Sequence, residues 1–238
     1  MSDVREIGPR IDLKKRAARK VRLRRTLVAM VVLVIAAILC WLVFFSSVLV
    51  TKRVEVSGNS LLSNDQVIQA AKVELGVPVA RQPLTKIAHR VSELAPAQSV
   101  KAGYGWPNSV HIEVTERTPM FQLLKDEKWY WVDSSGVAFY MSSEPREDLA
   151  KAMAENPDHA QLADLAETLG SLPKEILDQV AVVNAVSPER IVLELSDGRT
   201  VNWGSADKSD EKAKVLGPLL MQQGTNYDVS APSNPAVS

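Results

Sequence analysis

The chain has 238 residues with 28 basic and 28 acidic side chains, so its formal net charge at neutral pH is zero. Its single cysteine leaves neither disulfides nor thiolate metal ligands to support a fold, and stability must come from apolar cores. The charge is unevenly spread: residues 1–25 hold ten Lys or Arg against Asp3, Glu6 and Asp12, and everything beyond them is acidic on balance.

Leu27 to Val50 is a run of 24 residues with neither charge nor proline. As a helix it measures about 36 Å, enough to cross a hydrocarbon core of about 30 Å. A buried core helix would carry a polar stripe, and a cleaved signal peptide would have a shorter apolar region ending in small residues; this run has neither feature. Cys40 follows Leu39, where lipid-anchor processing prefers a small residue, so Cys40 reads as an apolar position facing lipid or another helix. The sequence therefore predicts a basic cytoplasmic tail over 1–25 and a transmembrane helix over 26–50. Basic flanks stay inside, which places residues 51–238 outside. Set directly against the span, the tail reads as a topology signal in contact with anionic lipid; the other reading of such a block is a nucleic-acid arm.

Beyond the span, Val54 and Val56 alternate with Glu55 and Ser57 in a strand that stops at Gly58-Asn59. Ser63 and Gln66 have capping-box spacing, and a helix is predicted from there to Leu75, stopped by Gly76. A second helix begins near Leu84, with Ile87, Val91 and Leu94 on one face, and ends before Pro96. Val100 to Tyr104 and Val110 to Thr115 alternate around Trp106-Pro107-Asn108, a hairpin. The order β-α-α-β-β has a simple packing solution, a three-stranded sheet with both helices on its apolar face.

Val54-Glu55-Val56-Ser57-Gly58-Asn59, then Trp106-Pro107-Asn108 leading to Glu116-Arg117-Thr118-Pro119, resembles the POTRA domain of the FtsQ/DivIB cell-division family. Downstream, a strand at Met120 to Leu124 precedes Trp129-Tyr130-Trp131-Val132, a turn at Asp133 to Gly136, and Val137 to Met141. The Val-Asp-x-x-Gly-Val pattern there is similar to the β domain of the same family. Alternation sets Trp129 and Trp131 on one face and Tyr130 on the other, which reads as core packing plus one exposed ring; a ligand-stacking platform is the other reading. Residues 142–181 read as helices, with a stripe of Leu162, Leu165, Ala166 and Leu169 and a short helix after Pro173 carrying Ile176, Leu177 and Val180. Ile191 to Leu195 and Arg199 to Trp203 flank an Asp197-Gly198 hairpin turn. A helix starts near Ser209, and Gly217-Pro218 predicts a kink or split in it. The last predicted strand is Asn226 to Ser230, followed by a Pro- and Ser-rich tail over 231–238 that reads as disordered. Tyr227-Asp228-Val229-Ser230, Asp197-Gly198-Arg199, Trp203-Gly204 and Glu211-Lys212-Ala213 resemble actinobacterial members of the family.

The predicted fold class is α+β: one N-terminal transmembrane helix, a β-α-α-β-β POTRA domain over 53–119, and a mixed β domain with flanking helices over 120–230. No catalytic constellation is visible. His89 lies on an amphipathic helix, His111 on the polar face of a strand and His159 near a helix start, and none sits in a nucleophile elbow. No His or Cys pair has metal-ligand spacing, no glycine cluster forms a phosphate loop, and the acidic exported part lacks a basic aromatic groove for nucleic acid. The expectation is therefore no cofactor, no metal and no small-molecule substrate.

What remains is binding. Residues 226–230 read as a sheet edge able to take up a partner strand, and equally as the last structural strand, blunted by Asp228 and Pro232. The family resemblance favours docking, because in that family the last strands of the β domain bind the extracytoplasmic parts of FtsB (DivIC-like) and FtsL. It implies a partner-binding set of Asn226, Tyr227, Asp228, Val229 and Ser230, supported by Val201 and Trp203. It also implies a septal, single-pass, non-catalytic scaffold that links early and late division proteins and, through its partners, reaches the septal peptidoglycan synthase. A chaperone-like POTRA component of protein export is the alternative, but no series of strands long enough for an outer-membrane barrel accompanies it.

Overall fold

The computed structural model describes residues 8–45 and 49–238, with side chains from residue 24 onward; the expectations for residues 1–7 and 46–48 lie outside the described residues. Helix α1 covers Gly8–Phe45. Its segment Arg24–Phe45, 22 residues, is long and apolar enough to cross a membrane by length and composition, and none of it is buried against the rest of the chain. Val50, which hydropathy assigns to the span, instead bridges Pro78. Apolarity alone cannot distinguish the last turn of a span from the first residues of the fold that follows.

A three-stranded sheet comes next, built from β1 (Arg53–Ser57), β2 (Ala97–Gly105) and β3 (Ser109–Glu116) in the order β1-β3-β2, with β1 parallel to β3. The capping box forms as predicted: the Ser63 amide donates to Gln66 Oε1 at 2.9 Å and the Gln66 amide to Ser63 Oγ at 3.2 Å. The helix it opens, α2 (Asn64–Ala71), stops short of Leu75, because Lys72 takes a left-handed backbone conformation. Helix α3 (Leu84–Ser92) buries Ile87 and Val91 as its periodicity requires. By proximity the chain forms two compact units, one of residues 1–57, 71–88 and 101–113, the other of 58–70, 89–100 and 114–238.

Within the second unit, Glu116 accepts the amides of Leu61 and Leu62, each at 2.8 Å. Arg117 donates to Asp133 at 2.5 Å and to the Ala95 carbonyl at 3.1 Å. The Glu-Arg-Thr-Pro stretch is thus a bracing element, with its charges spent on main-chain donors and on one largely buried ion pair.

The larger sheet has nine strands. They are β4 (Phe121–Lys125), β5 (Lys128–Val132), β6 (Ala138–Ser142), β7 (Ala150–Ala154), β8 (Val180–Ser187), β9 (Arg190–Leu195), β10 (Thr200–Gly204), β11 (Asn226–Asp228) and β12 (Ala236–Val237). Their order is β12-β11-β10-β9-β8-β7-β4-β5-β6. Register carries one apolar row across every strand: Val237, Tyr227, Val201, Leu193, Val183, Ala152, Leu123, Tyr130 and Met141. The middle of that row joins the buried faces of α4 (His159–Ser171), α5 (Lys174–Leu177) and α6 (Ser209–Leu219) in a single core.

Two expectations fail in the stretch read as helical, and the split expected in α6 does not occur. Ala150–Ala154 is a strand, parallel to both β4 and β8. Alanine favours helix intrinsically, but two flanking partners and a buried Ala152 outweigh that preference. Val180, read as the end of a helix, begins β8. Helix α6 runs through Pro218 without a split, because the proline falls in its last turn and the Leu220 amide still reaches the Leu216 carbonyl at 2.9 Å. The aromatic cluster is also turned over: Tyr130 packs against the core, whereas Trp131 lies tilted against Tyr140 on the opposite face, their ring centres 4.5 Å apart, under the Arg146 guanidinium.

Candidate docking edge

The predicted partner-binding strand is not an edge. β11 is flanked by β10 on one side and β12 on the other, so the tail expected to be disordered supplies the outermost strand. The Val229 amide donates inward to the Asn202 carbonyl at 3.0 Å and is not available to a partner. Two residues of strand are too few to show periodicity, and the surrounding Pro and Ser mask them. The only hint in the sequence is a β-branched residue, Val237, two positions after Pro235.

The side chains of the predicted set divide by face. Tyr227, Val229, Val201 and Trp203 are buried core residues, and Asn226 and Ser230 are exposed. Tyr227 lies beneath the Arg199 guanidinium, and its hydroxyl donates toward the Gln222 and Gly224 carbonyls, 2.9 and 3.0 Å away. Trp203 donates to Ser209 Oγ at 3.2 Å, with the Lys212 ammonium 5.9 Å from its ring. Lys212 is itself buried and donates to the Ser205 carbonyl at 2.8 Å; burial pushes its amine down from the ordinary lysine range. These groups anchor the sheet to α6. They do not face outward.

On the opposite face a polar ladder fastens β11 to β10. Thr200 donates to Asn226 at 2.6 Å and Asn202 to Asp228 at 2.8 Å. Partial burial opposes charge on the Asp228 carboxyl, but the Ser230 hydroxyl and amide, the Asn202 amide and the nearby Lys212 charge together hold it below the usual carboxylate range. Gly204, with φ of +76°, brings β10 close enough to Ser230 that an added Cβ would stand 2.9 Å from the serine Cβ.

β12 is held by main-chain bonds. Asn226 and Ser238 exchange both of theirs at 2.9 Å, and the Thr225 amide also reaches the Ser238 carbonyl at 2.9 Å. In an antiparallel pair the hydrogen-bonded positions alternate with positions that face away. Tyr227 and Val237, the next pair along, are therefore the outward-facing kind, and Val237 presents its N–H and C=O to the free side. Pro235, two residues before it and just outside β12, has no N–H to offer. The Val237 side chain points to the core face, where it packs at the margin of the cluster. This end of the sheet can add a strand by main-chain bonding.

The three histidines stand on separate elements: His89 on α3, paired with Glu93 at 3.4 Å; His111 on β3, 3.2 Å from Ser57 Oγ; and His159 at the first residue of α4. Among the described residues, no group of three or more His, Cys, Asp or Glu is placed to hold a metal ion.

Two family models match the chain. The one described as POTRA domain, FtsQ-type, covers residues 50–117, and the one described as Cell division protein FtsQ/DivIB, C-terminal, covers residues 123–229. Among similar proteins, the cell division protein FtsQ of Streptomyces venezuelae is 34% identical over 97% of this chain and 90% of its own length. FtsQ of Streptomyces coelicolor is 30% identical over 94% of this chain and 91% of its own length. FtsQ of Mycolicibacterium smegmatis is 34% identical over 88% of this chain, which spans 63% of that longer protein.

Proposed function

This chain belongs to the FtsQ family of bacterial cell division proteins, and from that premise we propose that it is a non-catalytic bitopic scaffold of the division machinery whose docking surface is the free side of β12. Its basic tail lies inside the cell, a POTRA domain over residues 53–119 follows the span, and the β domain continues past residue 230 to include Val237. The partners are the extracytoplasmic segments of FtsB/DivIC-type and FtsL-type proteins, and through them the septal peptidoglycan synthase. Docking adds a strand beside β12, so main-chain bonds supply affinity and neighbouring side chains supply register.

The observation that carries the proposal is the outward-facing Val237 main chain at the end of a nine-stranded sheet. The residues of the predicted set act one or two strands further in: Tyr227, Val229, Val201 and Trp203 stiffen the platform, while Asn226, Asp228 and Ser230 tie its strands together. Val237→Pro tests this directly, since proline is tolerated where the lost N–H faces solvent. One net hydrogen bond of about 1 kcal/mol, together with the altered edge, is expected to weaken binding of an FtsB/DivIC-type segment about five- to tenfold. Unchanged affinity in a folded Val237→Pro protein would refute docking at this edge.

A further inference from the structure

We infer that the unit containing α1 carries a second membrane contact, a shallow patch around Trp106 that rests in the lipid head groups where the helix leaves the bilayer. The residues beyond α1 in this unit bear Lys52, Arg53, Lys72, Arg81, Lys86 and Lys101 against only Glu55, Glu74 and Glu113, whereas the exported chain as a whole is acidic. A basic local surface on an acidic body fits phosphate-bearing head groups.

Geometry brings this surface to the end of the span. The Arg81 guanidinium, in a single 3₁₀ turn at Val79–Arg81, sits 5.8 Å from the ring centre of Phe45, the last described residue of α1. The Lys52 amide donates to the Asn108 carbonyl at 2.8 Å, which ties the chain emerging from the membrane to the turn of the β2-β3 hairpin. The Tyr104 hydroxyl reaches the Ala80 carbonyl, and the Gly76 amide reaches the Thr51 carbonyl. Three large side chains therefore stand exposed beside the exit of the helix: Leu75 (63%), Tyr104 (44%) and Trp106 (52%), with the two rings 6.1 Å apart.

No packing need explains these rings, because the core of the hairpin is already closed by Val110 and Ile112. Tyrosine and tryptophan are enriched at the level of lipid head groups, where an apolar ring and a polar edge are both satisfied. Lysine and arginine stems lie along the same boundary with their charges in water. The occupant is thus the leaflet that α1 itself leaves, and continuity with the helix argues for it over a protein partner. Two anchors, the span and the patch, would hold the hairpin against the bilayer.

The test uses the full chain in vesicles of phosphatidylglycerol and phosphatidylethanolamine. In a Cys40→Ser background, an environment-sensitive fluorophore is attached at Trp106→Cys, or at Asp197→Cys in the β9-β10 turn of the second unit as a reference. Blue-shifted emission at position 106, with quenching by lipid brominated near the head-group end of its chains and none at position 197, is the expected result. Adding Leu75→Ser and Tyr104→Ser should return the emission at 106 toward that at 197. Equal emission at the two sites, or equal quenching of both by aqueous iodide, would overturn the inference. A blue shift at 106 that grows with the protein-to-lipid ratio would overturn it too, by assigning the patch to a second copy of the chain.

Discussion

Replacing Tyr227 by phenylalanine separates the two roles the residue has been given, partner anchor and core element. The side chain is 1% exposed, and its hydroxyl proton is shared between the Gln222 and Gly224 carbonyls. Phenylalanine keeps the ring beneath Arg199 and removes only the donor. The loss is one net hydrogen bond, about 1 kcal/mol, plus part of the cost of leaving a carbonyl without its partner, for a total of about 1–2 kcal/mol. Tyr227→Ala removes the ring as well and should cost about 3–5 kcal/mol. Hydrogen exchange read by mass spectrometry on the full chain is the suitable assay, because it reports opening of the β10-β11-β12 corner apart from the rest of the protein. Exchange in residues 199–206 and 225–238 should quicken about five- to thirtyfold in Tyr227→Phe, while the β4-β5-β6 end stays unchanged. Partner affinity of the folded protein should fall only as far as the corner is open. Native protection combined with lost partner binding would refute the core assignment and restore Tyr227 as a contact residue.

Two further outcomes follow from local geometry. Gly58 has φ of +80°, and a Cβ there would stand 2.2 Å from the Val114 carbonyl oxygen, so Gly58→Ala should destabilise the second unit by about 2 kcal/mol or more, read as a lowered thermal midpoint. Asp133 is opposed by burial but accepts the Val137 amide, the Ser135 hydroxyl and amide, and the Arg117 guanidinium, which together hold its carboxyl below the usual range. A depressed folded value means that the stabilisation is complete above the unfolded carboxylate range, near pH 4, and is lost as pH falls through the folded value. Asp133→Asn should therefore reduce stability at neutral pH and narrow its difference from the parent protein in acid. A stability gap that stays constant with pH would refute the ionic assignment.

Much of the architecture is legible in residue order because its causes are local. The capping box at Ser63 and Gln66 closes within one turn of chain, and the Asp197-Gly198 turn sets its own hairpin, with Gly198 at φ of +88°. The α4 stripe from Leu162 to Leu169 buries the face its spacing marks out. The segments that escaped are those whose conformation depends on distant partners. Ala150–Ala154 becomes a strand only because β4 and β8 flank it, and Ala236–Val237 only because β11 offers bonding groups.

The docking surface follows the same division. Alternation around Tyr227 and Val229 marks a strand and its apolar face, and motif spacing marks the family, since both are properties of neighbouring residues. Which strand lies outermost is a property of the whole sheet. It was decided by the return of the last few residues across β11, where the main-chain bonds of Ser238 reach back 12 or 13 positions to Asn226 and Thr225 and leave no periodic trace in the sequence. Composition and order thus determined the apolar span, the two folded regions and the family; tertiary pairing alone determined which main-chain groups remain free for a partner.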